Sequence, residues 1–169
     1  HMWELYAFWA FVPVFLTAYT LQNPETDINT SLWSFLIIAS GSLGCMIGGF
    51  FSVKKGAKKI AFIALCMSGI LCLTSPLFFE LPKLLFIGIL MLWGMVVIAD
   101  SPLFSTLVAH NTTPKLKGTA LTIVNGIGFA ITILSIQLLS YLSETISIRY
   151  LFLILAVGPI IGVYKFSSR

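Results

Sequence analysis

Charged residues in this chain are largely confined to short breaks between six apolar stretches. Of its 169 residues, 58% are hydrophobic and 9% are charged, whereas a soluble domain carries roughly 25% charged residues. A helix of about 20 apolar residues is long enough to cross a bilayer. We therefore expect an all-α fold, a polytopic membrane helix bundle in which six transmembrane helices form a single domain over residues 1–169.

Polar and turn-forming residues in the breaks place the spans. We expect them at about residues 3–21, 32–53, 60–79, 84–109, 119–142 and 149–166. The first span begins almost at once, after a His1-Met2 pair that resembles a cloning remnant and is set aside. That abrupt start indicates either a shortened chain or one that normally continues upstream.

Four lysines in the second break predict the orientation. Such a cluster must lie at a membrane surface, and basic loops stay on the cytoplasmic side. Only two basic residues, Lys83 and Arg149, then fall outside, together with the loop acids Glu25, Asp27, Glu80 and Glu144. The predicted protein is an integral multi-pass protein of the plasma (inner) membrane, with both termini cytoplasmic. The predicted cytoplasmic basic residues are Lys54, Lys55, Lys58, Lys59, Lys115, Lys117, Lys165 and Arg169.

The net charge of +4 follows from these loops, so we expect the lipid bilayer, and no nucleic acid, as a partner. Cys45, Cys66 and Cys72 lie in apolar segments without metal-ligand spacing, and hydrolase and phosphate-loop motifs are absent. We predict no enzyme, no catalytic residue, no metal site and no cofactor.

Asp100 is the acid expected well inside a span, in the fourth one. An ionised carboxylate there costs at least ~2.5–3.5 kcal/mol unless it faces water, a partner or a cation. Asp100 could couple a solute or a proton to transport. Alternatively, in Asp100-Ser101-Pro102 the proline frees the carbonyl near Ile98, and Asp100 or Ser101 caps the next helical section.

Other polar and aromatic residues are candidates for a solute or proton path. Trp93, Val97, Asp100 and Phe104 share one helical face, which would suit either a cavity wall or packing. The fifth span has a polar stripe of Thr122, Asn125, Thr132 and Ser135, which either lines a path or binds helices together. In the first span, Tyr6 and Trp9 either line a cavity or belong to an interfacial aromatic belt. The full candidate set is Asp100, Ser101, Trp93, Phe104, Asn125, Trp9, Tyr6 and Thr17.

Small residues point to packing and to an internal repeat. Ser40, Gly44 and Gly48 recur every fourth residue, which predicts a close helix contact. Spans one and four each contain a proline, spans two and five are rich in glycine, and spans three and six carry a proline near their far ends. This pattern indicates a 3+3 inverted repeat, although glycine and proline are also frequent in membrane helices generally.

Two loops resemble motifs of the major facilitator superfamily. The first matches the signature loop between its second and third, or eighth and ninth, helices, except that Val53 replaces the usual acid. The second resembles the turn before the eleventh helix, with Lys117 in the position of an arginine. The matching residues are Gly49, Ser52, Lys54, Gly56, Lys58 and Lys59 in the first loop, and Pro114, Lys117 and Gly118 in the second.

The resemblance extends over the whole chain and is strongest to the C-terminal half of such a transporter. It implies half of a secondary active transporter, which forms one wall of an alternating-access path for a small solute. The partner it implies is a second six-helix half or a homodimer. The competing hypothesis is a structural or assembly membrane module that folds or dimerises but does not transport alone.

Overall fold

The computed structural model describes residues 1–167, which form helices joined by short turns, with no β-strand in that range. Arg169, one of the predicted cytoplasmic basic residues, lies outside the described residues. The α-helices are Met2–Gln22, Thr30–Lys55, Ala57–Thr74, Lys83–Ala99, Ser101–His110, Lys117–Ser143, Ile148–Leu151 and Val157–Ser167. Short 3₁₀ helices are Ser75–Glu80, Pro114–Leu116 and Phe152–Ala156.

These helices combine into six stretches that are long and apolar enough to cross a membrane, as the sequence predicts. The chain is therefore a multi-pass membrane protein. We call the stretches the first to sixth spans; in order they are Met2–Gln22, Thr30–Lys55, Ala57–Glu80, Lys83–His110, Pro114–Ser143 and Ile148–Phe166.

The second and fourth spans approach so closely that their backbones touch. A Cβ atom on Gly44 would lie 2.0 Å from the carbonyl oxygen of Met95, and one on Gly94 would lie 2.2 Å from that of Ile37. Ser40 Oγ reaches across the same contact and donates to the Met91 carbonyl at 2.9 Å. The small-residue face predicted on the second span is confirmed as a packing face.

Two further pairs of spans pack through small residues. The first span rests on the fifth, where Thr132 Oγ1 donates to the Met2 carbonyl at 2.9 Å and a Cβ on Gly128 would meet the Met2 side chain. The third span rests on the sixth, where a Cβ on Gly69 would lie 3.0 Å from Pro159. Three close contacts thus pair the second span with the fourth, the first with the fifth and the third with the sixth.

An aromatic core surrounds the first span. Phe15 stacks on Phe152 with ring centroids 4.6 Å apart, and Phe8 lies 4.8 Å from Trp93. All four of these side chains are fully buried. Aromatic pairs in such offset and edge arrangements contribute about 0.5–1.5 kcal/mol beyond their buried area. The first span therefore contributes several of the side chains that form the buried aromatic core.

Charged groups collect at the two ends of the bundle. We call the end that carries Lys54, Lys55, Lys58 and Lys59 the lysine end. At the opposite end, Arg149 pairs with Glu80 at 2.6 Å, and Lys83 donates to the Asp27 carbonyl. This distribution leaves the middle of the bundle to apolar groups and a few buried polar side chains.

We predict that Gly44→Ala destabilises the fold, by about 1–3 kcal/mol or more, because overpacking forces the touching backbones apart. Thermal unfolding in detergent would measure the loss. Gly88→Ala is the matched control, since no atom lies within 4 Å of a Cβ at Gly88. Equal unfolding temperatures for the two variants would contradict this account of the contact.

Candidate functional site

A buried carboxyl group joins three spans near the middle of the bundle. Glu4, on the first span, is only 1% exposed. Its Oε1 accepts hydrogen bonds from Trp93 Nε1 at 3.0 Å, from Cys72 Sγ at 3.3 Å and from Ser68 Oγ. Ser68 and Cys72 are four residues apart, so both face the first span from one side of the third. We call these four residues the Glu4 cluster.

All three donors in the Glu4 cluster are neutral groups. Burying a charged group is costly unless it is paired and hydrogen-bonded, and several hydrogen bonds to one oxygen offset part of that cost. The cluster therefore joins the first span to the third and fourth through one buried acceptor. It is the most specific polar contact between spans in the described part of the chain.

Asp100 lies at a break in the fourth span. The α-helix Lys83–Ala99 ends there, and Ser101–His110 begins with Pro102 in its first turn, as predicted. The freed Ile98 carbonyl accepts from the Asp100 backbone N–H and lies 3.6 Å from Cys45 Sγ. The Asp100 side chain makes no capping hydrogen bond, so the predicted cap through this carboxyl is not formed.

The Asp100 carboxyl instead faces the N-terminus of the chain. Asp100 is 3% exposed, and its Oδ1 lies 2.7 Å from Nδ1 of His1. The His1 carbonyl accepts from the Glu4 backbone N–H at 3.0 Å. The two buried acids are therefore linked by a single helical turn. His1 and Met2, set aside in the sequence, both contact the bundle.

A cavity of about 740 Å³ lies between the first, third, fourth, fifth and sixth spans. Its walls are mostly aliphatic and aromatic, and its polar groups include Ser101, Ser105 and Asn125. It extends from His1 to Lys165 and Phe166, towards the lysine end. A space of this size and lining is typical of small-molecule sites.

Three of the predicted path residues line this cavity: Ser101, Phe104 and Asn125. Phe104 also lies against the His1 ring, with centroids 5.7 Å apart. Trp93 does not line it, because the indole is fully buried among Phe8, Phe78 and Phe152 and hydrogen-bonds to Glu4. The predicted shared face of the fourth span is thus divided between core and cavity.

Tyr6, Trp9 and Thr17 lie on another face of the first span. The Tyr6 ring meets Trp9 edge-on at 5.3 Å and Phe129 of the fifth span at 5.6 Å. Thr17 is exposed and donates to the Pro13 carbonyl at 2.9 Å. Trp9 Nε1 is buried without a hydrogen-bond partner among residues 1–167.

The polar stripe of the fifth span separates into two pairs. Thr132 and Ser135 are buried, and Thr132 bonds to the first span, so this pair contributes to packing. Thr122 and Asn125 are exposed nearer the lysine end. Of the second pair, Asn125 lines the cavity.

The loop after the second span is a single residue in a left-handed conformation. Gly56 has φ +85°, and its N–H donates to the Ser52 carbonyl at 2.8 Å. Ser52 in turn donates to the Gly49 carbonyl at 2.7 Å, and Lys58 and Lys59 are exposed beyond the turn. In the other loop, Pro114 opens the 3₁₀ turn and Lys117 starts the next α-helix, followed by the exposed Gly118.

Glu4 is the site residue that the sequence reasoning did not single out. Its signal was present, because an acid stands between Trp3 and Leu5 within the predicted first span. The spacing of Ser68 and Cys72 carried no comparable signal, since small residues are common in membrane helices.

The chain matches no protein-family model and no curated protein sequence.

We expect Glu4→Ala to destabilise the bundle more than Glu4→Gln. Alanine leaves the Trp93, Ser68 and Cys72 donors without their acceptor, at about 1–3 kcal/mol per buried group, whereas glutamine keeps an oxygen in place. Thermal unfolding of the two variants in the same detergent measures the difference. An alanine variant as stable as the glutamine variant would show that the hydrogen bonds contribute nothing.

A second substitution tests the turn at Gly56. Gly56→Ala places a side chain at a positive φ, which costs on the order of 1–3 kcal/mol, so the unfolding temperature falls. Gly118→Ala serves as the control, because Gly118 has open space and no positive φ. If both variants unfold at the wild-type temperature, the turn does not need glycine.

Proposed function

We propose that this chain is half of a secondary active transporter of the major facilitator type. It forms one wall of an alternating-access path for a small solute and uses Asp100 for proton coupling. The second wall is a second six-helix half or another copy of the chain. The basic residues at the lysine end favour a cytoplasmic location for that end, and hence an inner-membrane protein with both termini inside.

The observation that carries the proposal is the pattern in which the spans pack. If the first span is exchanged with the fourth, the second with the fifth and the third with the sixth, each main contact between spans is replaced by a contact that the structure also contains. The second–fourth contact becomes the fifth–first contact, the third–fourth contact becomes the sixth–first, and the third–sixth contact maps onto itself. This pattern supports a 3+3 inverted repeat, as in many secondary transporters.

The exposed face of the fifth span supports the need for a second wall. Only 17% of its most apolar stretch is buried, against 50% for the first and fourth spans. Asn125 and Gln137 are exposed on it. Polar side chains inside a membrane usually face other protein or water rather than lipid, so another protein surface or an aqueous path accounts for them better than lipid does.

Asp100 and the cavity support a coupled transport path. A carboxyl group buried beside a space of about 740 Å³ is well placed to exchange a proton when a solute enters or leaves. Ser101, which follows Asp100 in the chain, and Phe104, one helical turn after Asp100, both line that space. The fourth span therefore connects the candidate proton site to the candidate solute site.

One observation favours the alternative, a membrane module that assembles but does not transport. Both buried acids have partners, Glu4 in its cluster and Asp100 at His1, as structural residues would. The two functions differ in whether neutralising Asp100 abolishes an activity or only alters stability.

Proton flux in proteoliposomes tests the proposal. The purified chain is reconstituted with the pH dye pyranine inside, and sugars, amino acids, carboxylic acids and organic cations are added in turn. We expect at least one solute to drive proton movement, and Asp100→Asn to reduce it by about tenfold or more, which corresponds to about 1.4 kcal/mol. Glu144→Gln, at an exposed loop acid, should leave it unchanged.

Two results would contradict the proposal. If no solute moves protons although light scattering shows particles of two copies, the assembly module is favoured. If solute-driven flux is the same in wild type and Asp100→Asn at every pH, coupling does not use Asp100.

A further inference from the structure

We infer that Glu4 is a second proton-binding group of the bundle, which exchanges protons with the Asp100 site and so controls how firmly the first span is held. The inference rests on the proposed function for its role in transport, but not for its test. Glu4 is a buried titratable group to which the proposed path assigns no part.

The Glu4 cluster can hold the carboxyl group in either charge state. When Glu4 is ionised, the three donors on Oε1 offset part of the cost of burying the charge. When a proton adds to Oε2, Oε1 still accepts from Ser68, Cys72 and Trp93. The same neighbours therefore serve both states, which is what reversible proton binding requires.

The strength of the contact differs between the two states. A hydrogen bond to an ionised acceptor is roughly twice as strong as one between neutral groups. For ionised Glu4, however, these stronger bonds offset only part of the cost of burying a charge among neutral groups, whereas protonated Glu4 keeps the same contacts without that cost. Proton uptake at Glu4 therefore favours the packed position of the first span, and proton release disfavours it.

The groups around Glu4 limit where its proton goes. Ser68 and Cys72 of the third span and Trp93 of the fourth contact the Glu4 carboxyl group. Asp100 lies further along the fourth span. From its own span Glu4 adjoins His1, which lies against Asp100. The fifth span meets this first turn through the Thr132 hydroxyl, and the sixth through the Ile154 carbonyl, which accepts from Trp3.

Two carboxyl groups on either side of one helical turn influence each other's charge. Like charges in a site of low dielectric resist simultaneous ionisation, so a proton bound at one acid makes ionisation of the other easier. His1 reaches both the Asp100 carboxyl and the cavity that extends to the lysine end. The cavity is lined by His1 and Ser101, which adjoin Asp100, and not by Glu4, so protons from the cavity reach the Asp100 side of the pair first.

Infrared difference spectroscopy of the purified chain in lipid nanodiscs tests the inference without any transport. Stepping the pH should reveal carboxyl C=O bands from two buried acids. Glu4→Gln should remove one band and Asp100→Asn the other, and the midpoint of the Glu4 band should shift in Asp100→Asn. Glu144→Gln, which alters an exposed acid, should remove neither band.

Trp93 provides a second readout, because its indole N–H bonds directly to Glu4. Tryptophan fluorescence should change with pH in the wild type and lose that change in both Glu4→Gln and Trp93→Phe. If Glu4→Gln does not fold, Trp93→Phe still reports, since removing one donor should shift the Glu4 infrared band.

An infrared spectrum of folded Glu4→Gln that superimposes on the wild type at every pH would overturn the inference. So would a Glu4 band in Trp93→Phe that stays at the wild-type position. Either result leaves the proposed function standing. Conversely, two titrating acids in a chain that moves no solute would support this inference and contradict the proposed function.

Discussion

The cost of leaving a polar group without a partner in apolar surroundings governs this structure. In hydrocarbon an unsatisfied backbone group costs several kcal/mol, so the chain is helical and hydroxyl groups turn back to their own helices. Thr17, Thr20, Thr106 and Thr122 each donate to the carbonyl four residues earlier. Only a few polar side chains are left to act between spans, and the Glu4 cluster uses several of them.

Backbone contact between the second and fourth spans has a different physical basis. Without a hydrophobic driving force between helices in lipid, association depends on close packing and on hydrogen bonds between helices. Gly44 and Gly94 allow that approach, and Ser40 bonds across it. The contact between the first and fifth spans combines Gly128 with Thr132. Both contacts leave the outer faces of the second and fifth spans free to meet another protein surface.

The buried acids and the cavity lie at the point where these contacts converge. Asp100 occupies the break that Pro102 makes in the fourth span, and Glu4 holds the first span against the third and fourth. Glu4 contacts the third and fourth spans directly, whereas Asp100 meets the start of the first span through His1. In the role proposed above, a change of charge at Glu4 would act on helix packing through these hydrogen bonds.

The sequence alone determined the number and placement of the spans, because apolar length and charged breaks are local properties. It also determined the packing face around Gly44 and the helix break at Asp100, since small residues at helical spacing and proline act through backbone geometry. Periodicity shows which side chains share a face, but not which neighbour that face meets. Only the tertiary structure decided that Trp93 belongs to the core while Phe104 lines the cavity. It also separated Thr132 from Asn125 and brought Ser68, Cys72 and Trp93 to Glu4, because those contacts join residues 64 to 89 positions apart.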